Sequence, residues 1–189
     1  MREKSGYFGK RRKFYSWGYE GEDIPPAEVK KMAERVSARL GVEEPDILPD
    51  PKLDEIDLRN PRISIPKTLE HFCSSEKWDR VMHSYGKSFK DLTKMYRRDF
   101  SNPPDVVAYP QDEEQIASLL DWCGENDYAA IPFGGGSSVT DGFTPPEGGE
   151  YAGAVCIDLG NLNQVLEVDP VSRCARIQAG ILGPALEEQ

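Results

Sequence analysis

Residues 132–138 read Pro-Phe-Gly-Gly-Gly-Ser-Ser and follow directly on an apolar run, Tyr128-Ala129-Ala130-Ile131. No other segment restricts the fold as much. Glycine loses more backbone freedom on folding than any other residue, roughly 0.5–1 kcal/mol relative to alanine. Three in a row are tolerated where bare backbone must come close to something. With side chains gone, consecutive N–H groups can form a concave anion nest. Ser137 and Ser138 add two hydroxyls able to donate to the same oxygens. The segment therefore reads as a strand running into a phosphate- or pyrophosphate-binding loop.

The flanking pattern supplies the frame for that loop. Val106-Val107-Ala108-Tyr109 reads as a strand. Residues 112–125 read as a helix, with Ile116, Leu119, Leu120 and Cys123 on one face and Asp112, Glu113 and Glu114 in the first turn, where the helix dipole favours acids. Ala129 to Pro132 is the next strand. The glycine loop then lies at the C-terminal end of a strand–helix–strand unit, where open α/β sheets bind ligands. Beyond it come three strands, 154–159, 165–168 and 173–178, the last two joined through a Pro170-Val171-Ser172 turn. Pro184 to Glu188 reads as the first turn of a helix. The sequence stops inside that element, which we read as truncation.

The first half has a different grammar. Residues 1–23 are rich in aromatics without periodicity and read as an irregular arm that packs down. Val29, Met32, Ala33, Val36 and Leu40 recur at helical spacing, and Gly41 suits the stop. Five prolines in 44–66 describe an extended connector. A second helical stripe runs from Glu76 to Arg98, capped by Ser75 and broken by Asn102-Pro103-Pro104.

Charge and cysteine usage exclude several functions. The net charge of −10 over 189 residues argues against a general nucleic-acid-binding surface. Residues 1–13 nevertheless hold six basic side chains against Glu3 alone. That tip could touch an anionic surface as a peripheral membrane contact; the plainer reading is a solvated, frayed terminus. Four cysteines without CxxC spacing and only two histidines, His71 and His83, make no zinc-ligand pattern, so no metal is expected. Cys123, Cys156 and Cys174 lie in apolar patterns and are expected as buried thiols, which suits a reducing cytoplasm. No signal peptide and no run long enough to span a membrane is present in the sequence.

Two phosphate templates fail at the loop. A Walker A motif starting at Gly134 or Gly135 needs glycine at 139 or 140, where Val139 and Thr140 stand. A dinucleotide GxGxxG starting at Gly134 fails at Val139 as well. Asp141-Gly142 and Pro145-Pro146 argue for turns rather than a helix after the loop, so loop backbone would hold the phosphates.

Pro104-Asp105-Val106-Val107-Ala108-Tyr109-Pro110, the acidic helix, Ile131 to Ser138, Asp158-Leu159 and Ala179-Gly180-Ile181-Leu182-Gly183 together resemble the FAD-binding domain of the vanillyl-alcohol-oxidase type flavoenzymes. Trp17-Gly18-Tyr19, Asp79-Arg80-Val81 and His83-Ser84-Tyr85-Gly86-Lys87-Ser88 are similar to its alkyldihydroxyacetonephosphate synthase branch. The resemblance implies an α+β chain: a helical N-terminal region, then the first, incomplete part of a two-subdomain α/β FAD-binding domain. The boundaries are 1–99 for the arm and helical region and 100–189 for the truncated FAD-binding domain.

By the same resemblance, Pro132, Phe133, Gly134, Gly135, Gly136, Ser137 and Ser138 embrace the FAD pyrophosphate, Phe133 through backbone alone. Ala179-Gly180 is a second approach to the cofactor. Serines follow the glycines where some relatives carry a flavin-bearing histidine, which favours dissociable FAD. The resemblance assigns no catalytic residue, since those of the family come later in its chains. His71 and His83 are expected as structural or surface residues, and Asp141 as a turn former rather than a base. The implied activity is acyl-to-alkyl exchange on acyl-dihydroxyacetone phosphate in ether-lipid synthesis, with a lipid-like small-molecule substrate and room for a homodimer. The alternatives are an FAD-dependent dehydrogenase of D-lactate or glycolate type, and a non-catalytic flavin-binding fragment.

Overall fold

The computed structural model describes residues 11–43 and 45–189. Four strands form the central sheet: β1 (Cys73–Ser74), β2 (Val106–Ala108), β3 (Tyr128–Phe133) and β4 (Gly153–Asp158). Their spatial order is β1-β2-β4-β3. β1 runs antiparallel to β2, while β2, β4 and β3 are parallel. Helix α4 (Glu113–Glu125) crosses from β2 to β3 and leaves a gap that β4 later fills. Asp112 caps α4 by accepting the Gln115 N–H at 2.8 Å. The strand–helix–strand reading therefore holds, with β4 threaded between its two strands.

Alternation along the strands splits the core between the two faces of this sheet. Val106, Ala108, Val155 and Ile157 pack with Leu119 and Cys123 of α4, and with Phe72 and Ile63. Val107, Ala129, Ile131, Phe133, Ala154 and Cys156 pack with Phe143 on the other side. Every residue of β4 is buried, as its central place requires.

Asp105 fastens the connector to this sheet. Its fully buried carboxylate accepts the Arg62 N–H at 2.9 Å, the Arg62 side chain at 2.7 Å and the Ala154 N–H at 2.9 Å, and it also pairs with Arg59. Burial alone would raise its pKa. The hydrogen bonds from Arg62 and Arg59 outweigh burial and hold it well below the usual carboxylate range.

Upstream, the arm, connector and two short helices share a separate cluster of Phe14, Ile56, Val81, Tyr85, Met95 and Phe100. Helix α1 (Pro26–Leu40) ends as expected at Gly41, which adopts φ 67° and donates to the Ser37 carbonyl at 2.9 Å. Its apolar stripe is not covered, however: Met32, Val36 and Leu40 stay largely exposed among the described residues.

The expected helix over 76–98 is in fact two, α2 (Lys77–Met82) and α3 (Phe89–Tyr96). Glu76, not Ser75, sits at the start of α2, and the Ser74 hydroxyl accepts the Glu76 N–H at 3.2 Å. The break falls where Gly86 touches the chain after β3, since a Cβ there would lie 2.2 Å from the Ser138 carbonyl oxygen. Ser88 and Asp91 then open α3 with a reciprocal capping box.

Strands β5 (Val165–Asp169) and β6 (Cys174–Ile177) form a separate antiparallel ribbon, and α5 (Gly183–Glu188) follows. All of β6 is exposed. Cys174 is therefore not the buried thiol expected of it: alternation marks a strand but does not say what covers it. Cys73, Cys123 and Cys156 are buried, and none of the four cysteines is in a disulfide. No helix among the described residues is long and apolar enough to cross a membrane.

Candidate functional site

The glycine loop leaves the C-terminal end of β3 beside the end of β4, where Phe133 pairs with Asp158. The Phe133 side chain is buried, against the His83 ring at 4.3 Å and Phe143 at 4.8 Å. Pro132, Gly134 and Ser137 are exposed, Gly135 and Ser138 half-buried, and Gly136 buried. Gly136 takes φ 67°, and a Cβ there would come within 2.7 Å of the Phe133 ring. A Cβ on Gly134 would meet nothing within 4 Å, so the loop is open on that side.

The hydrogen bonds of the loop are one-sided. The Phe133 carbonyl accepts from the Leu159 N–H at 2.9 Å, and the Ser138 carbonyl from the Lys87 N–H at 2.7 Å. The Gly135 carbonyl accepts from the Arg12 guanidinium. By contrast, the N–H groups from Gly134 through Val139 donate to no acceptor among the described residues. A trans peptide directs its N–H opposite to its C=O. Each held carbonyl therefore turns the next N–H, of Gly134, Gly136 and Val139, away from the protein group that holds it. Orphan donors beside open space are the donor set of an anion nest. FAD carries a pyrophosphate, and these residues fit it.

Two cations flank the loop. Lys87 donates from Nζ to the Phe14 carbonyl at 2.9 Å. Burial, and then the neighbouring Arg12 charge, pull its pKa down to about 8, while Asp91 acts the other way. A cavity of about 190 Å³ between arm and loop is lined by both cations together with Trp17, Tyr19, Tyr85 and Phe133. Arg11 stacks on Trp78, its guanidinium carbon 3.2 Å from the ring centroid, and Lys13 pairs with Asp23 at 2.5 Å. Arg11, Arg12 and Lys13 are thus packed rather than frayed. The other basic residues of the tip, at positions 2, 4 and 10, lie outside the described residues.

His83 is buried and structural, its ring nitrogens 2.7 Å from the Asp79 carbonyl and 2.9 Å from the Asp158 carboxylate. Asp141 is a turn residue at φ 58° whose carboxylate accepts from Lys90 at 3.0 Å. Gly180 seats on the chain leaving β4, where a Cβ would lie 1.7 Å from the Leu159 carbonyl oxygen. Next to it Leu182 reaches the loop, 3.4 Å from where a Gly135 Cβ would sit. Sequence reasoning missed Arg12, Lys87 and Leu182 as neighbours of the loop. Gly86, in a segment otherwise of helical pattern, was the one local sign of a close approach there.

Residues 104–189 match the family model described as the FAD binding domain, and FAD is the cofactor this match supports. Within the class, the chain is similar to alkyldihydroxyacetonephosphate synthase of Dictyostelium discoideum, 34% identical over 114 residues, which is 60% of this chain and 18% of that protein. A solved structure of an alkyldihydroxyacetonephosphate synthase superposes with a TM-score of 0.75 at 26% identity, covering 94% of this chain and 38% of the other. Glycolate oxidase subunit GlcD of Bacillus subtilis is 29% identical over 103 residues, 54% of this chain and 19% of that protein. The chain thus spans about a fifth of the length of the curated relatives it matches.

Proposed function

We propose that residues 132–138 cradle the pyrophosphate of FAD, held without a covalent bond from this loop. The observation behind this reading is the run of N–H groups from Gly134 through Val139 with no acceptor among the described residues. Backbone donors, with the Ser137 and Ser138 hydroxyls, orient the cofactor. Pro132 and Phe133 fix the loop to the end of β3. Residues 1–99 form an arm and helical region, and 100–189 the opening part of the flavin domain.

The activity of the natural polypeptide carrying these residues is acyl-to-alkyl exchange on acyl-dihydroxyacetone phosphate, supported by the similarity to alkyldihydroxyacetonephosphate synthases. Bound FAD supplies a reversible electron-pair acceptor for that exchange. A lipid-like substrate, a basic tip at an anionic membrane surface, a homodimer and a reducing cytoplasm complete the reading. The second reading is a D-lactate or glycolate dehydrogenase, favoured by the similarity to the glycolate oxidase subunit.

The two are separated by adding each substrate to the natural polypeptide and following flavin absorbance together with alkyl product. Exchange of the acyl chain for a fatty alcohol, with no bleaching by D-lactate or glycolate, is the expected result. Bleaching by a 2-hydroxy acid without exchange would establish the second reading.

A further inference from the structure

The arm reaches the glycine loop across more than a hundred residues of sequence, and it does so from a fixed base. Arg12 and Tyr19 form a bridge, and the Lys13 N–H donates to the Gly18 carbonyl at 3.1 Å. Phe14 is buried, its ring 5.7 Å from Trp78 and 6.1 Å from Phe100. Lys87 ties the arm to the loop: its N–H donates to the Ser138 carbonyl and its ammonium to the Phe14 carbonyl. From this base the Arg12 guanidinium donates to the Gly135 carbonyl.

A three-glycine loop has no side chains to select one orientation of its peptide planes. An external donor must select it. At the Gly135–Gly136 peptide that donor is Arg12. Its charge also polarises the peptide it holds, which strengthens the N–H on the far side. Neither Arg12 nor Lys87 has a carboxylate within ion-pairing distance among the described residues.

We propose that Arg12 is a positioning residue for the anion cradle: held by the aromatic arm, it fixes the Gly135–Gly136 peptide so that the Gly136 N–H faces a diphosphate. The inference rests on the reading of residues 132–138 as the pyrophosphate site.

The test compares R12A, R12K and G134A in the natural polypeptide. FAD affinity of the apoprotein is measured by fluorescence titration, competition by inorganic diphosphate beside it, and the melting temperature of each apoprotein separately. R12A is expected to weaken FAD binding about 10- to 100-fold, as loss of a charged hydrogen bond does. It is also expected to abolish competition by diphosphate while leaving apoprotein melting unchanged, and R12K is expected to recover part of the affinity. R12M keeps the packing of the stem and reads the same loss should R12A fail to fold. Wild-type affinity in R12A or R12M, with G134A impaired, overturns the role of Arg12 and leaves the cradle standing. Wild-type affinity in G134A as well overturns both.

Discussion

Two glycines two positions apart have opposite reasons for being glycine. Gly136 is required by the chain itself: its φ of 67° and the Phe133 ring 2.7 Å from a built Cβ leave no room for a side chain. Gly134 meets nothing within 4 Å, so the folded chain alone gives it no reason to be glycine. Gly136→Ala is therefore expected to destabilise the apoprotein by about 1–2 kcal/mol from the left-handed backbone alone, with the contact on Phe133 added. Gly134→Ala is expected to melt within about 0.5 kcal/mol of wild type, as open surface changes do, yet to lose FAD affinity because a methyl would stand where the ligand approaches. Melting curves of the apoproteins beside FAD titrations check both. Equal melting of the two variants would remove the distinction.

Elements are joined to one another here by a few buried polar groups as much as by apolar contact. Asp105 is the clearest case, because it bonds the connector through Arg59 and Arg62 and the start of β4 through Ala154. Asp105→Asn removes the charge while keeping the shape, and leaves two guanidiniums without their counter-ion. The expected cost is on the order of 3 kcal/mol, read by chemical denaturation at neutral pH. The sign of the pH dependence follows from the depressed pKa. The stabilisation is complete above the ordinary carboxylate value and is lost as pH falls through that value toward the lower folded one. The variant should therefore show a flatter acid limb than wild type. A second lesson at this scale is the break at His83–Ser88. Helical spacing of apolar residues continues across it, but the contact of Gly86 with Ser138 requires the chain to turn. Periodicity reports which residues are buried, not whether the axis between them is straight.

The molecule as a whole leaves apolar surface uncovered among the described residues, notably along the stripe of α1, with Met32, Val36 and Leu40, and on the β5–β6 ribbon, with Leu166, Val168 and Ile177. Among the described residues β3 is an edge strand, with β4 beside it. Residues 1–189 on their own are accordingly expected to bind FAD weakly and to show no catalysis. A purified 189-residue chain that stays yellow with stoichiometric FAD after dialysis would refute this. The sequence by itself determined the local content of the flavin domain: β2, α4, β3, β4 and the loop between Phe133 and Ser138 were all legible. These depend on spacing, capping and glycine count within a dozen residues. Only the tertiary structure decided that β4 inserts between β2 and β3, that Cys174 is exposed, and that Arg12 and Lys87 stand at the loop. The physical reason is distance along the chain. Arg12 and Gly135 are 123 residues apart, and nothing in the residues around either one encodes the other. Their meeting follows from how the arm is seated, with Phe14 packed on Trp78 and Phe100.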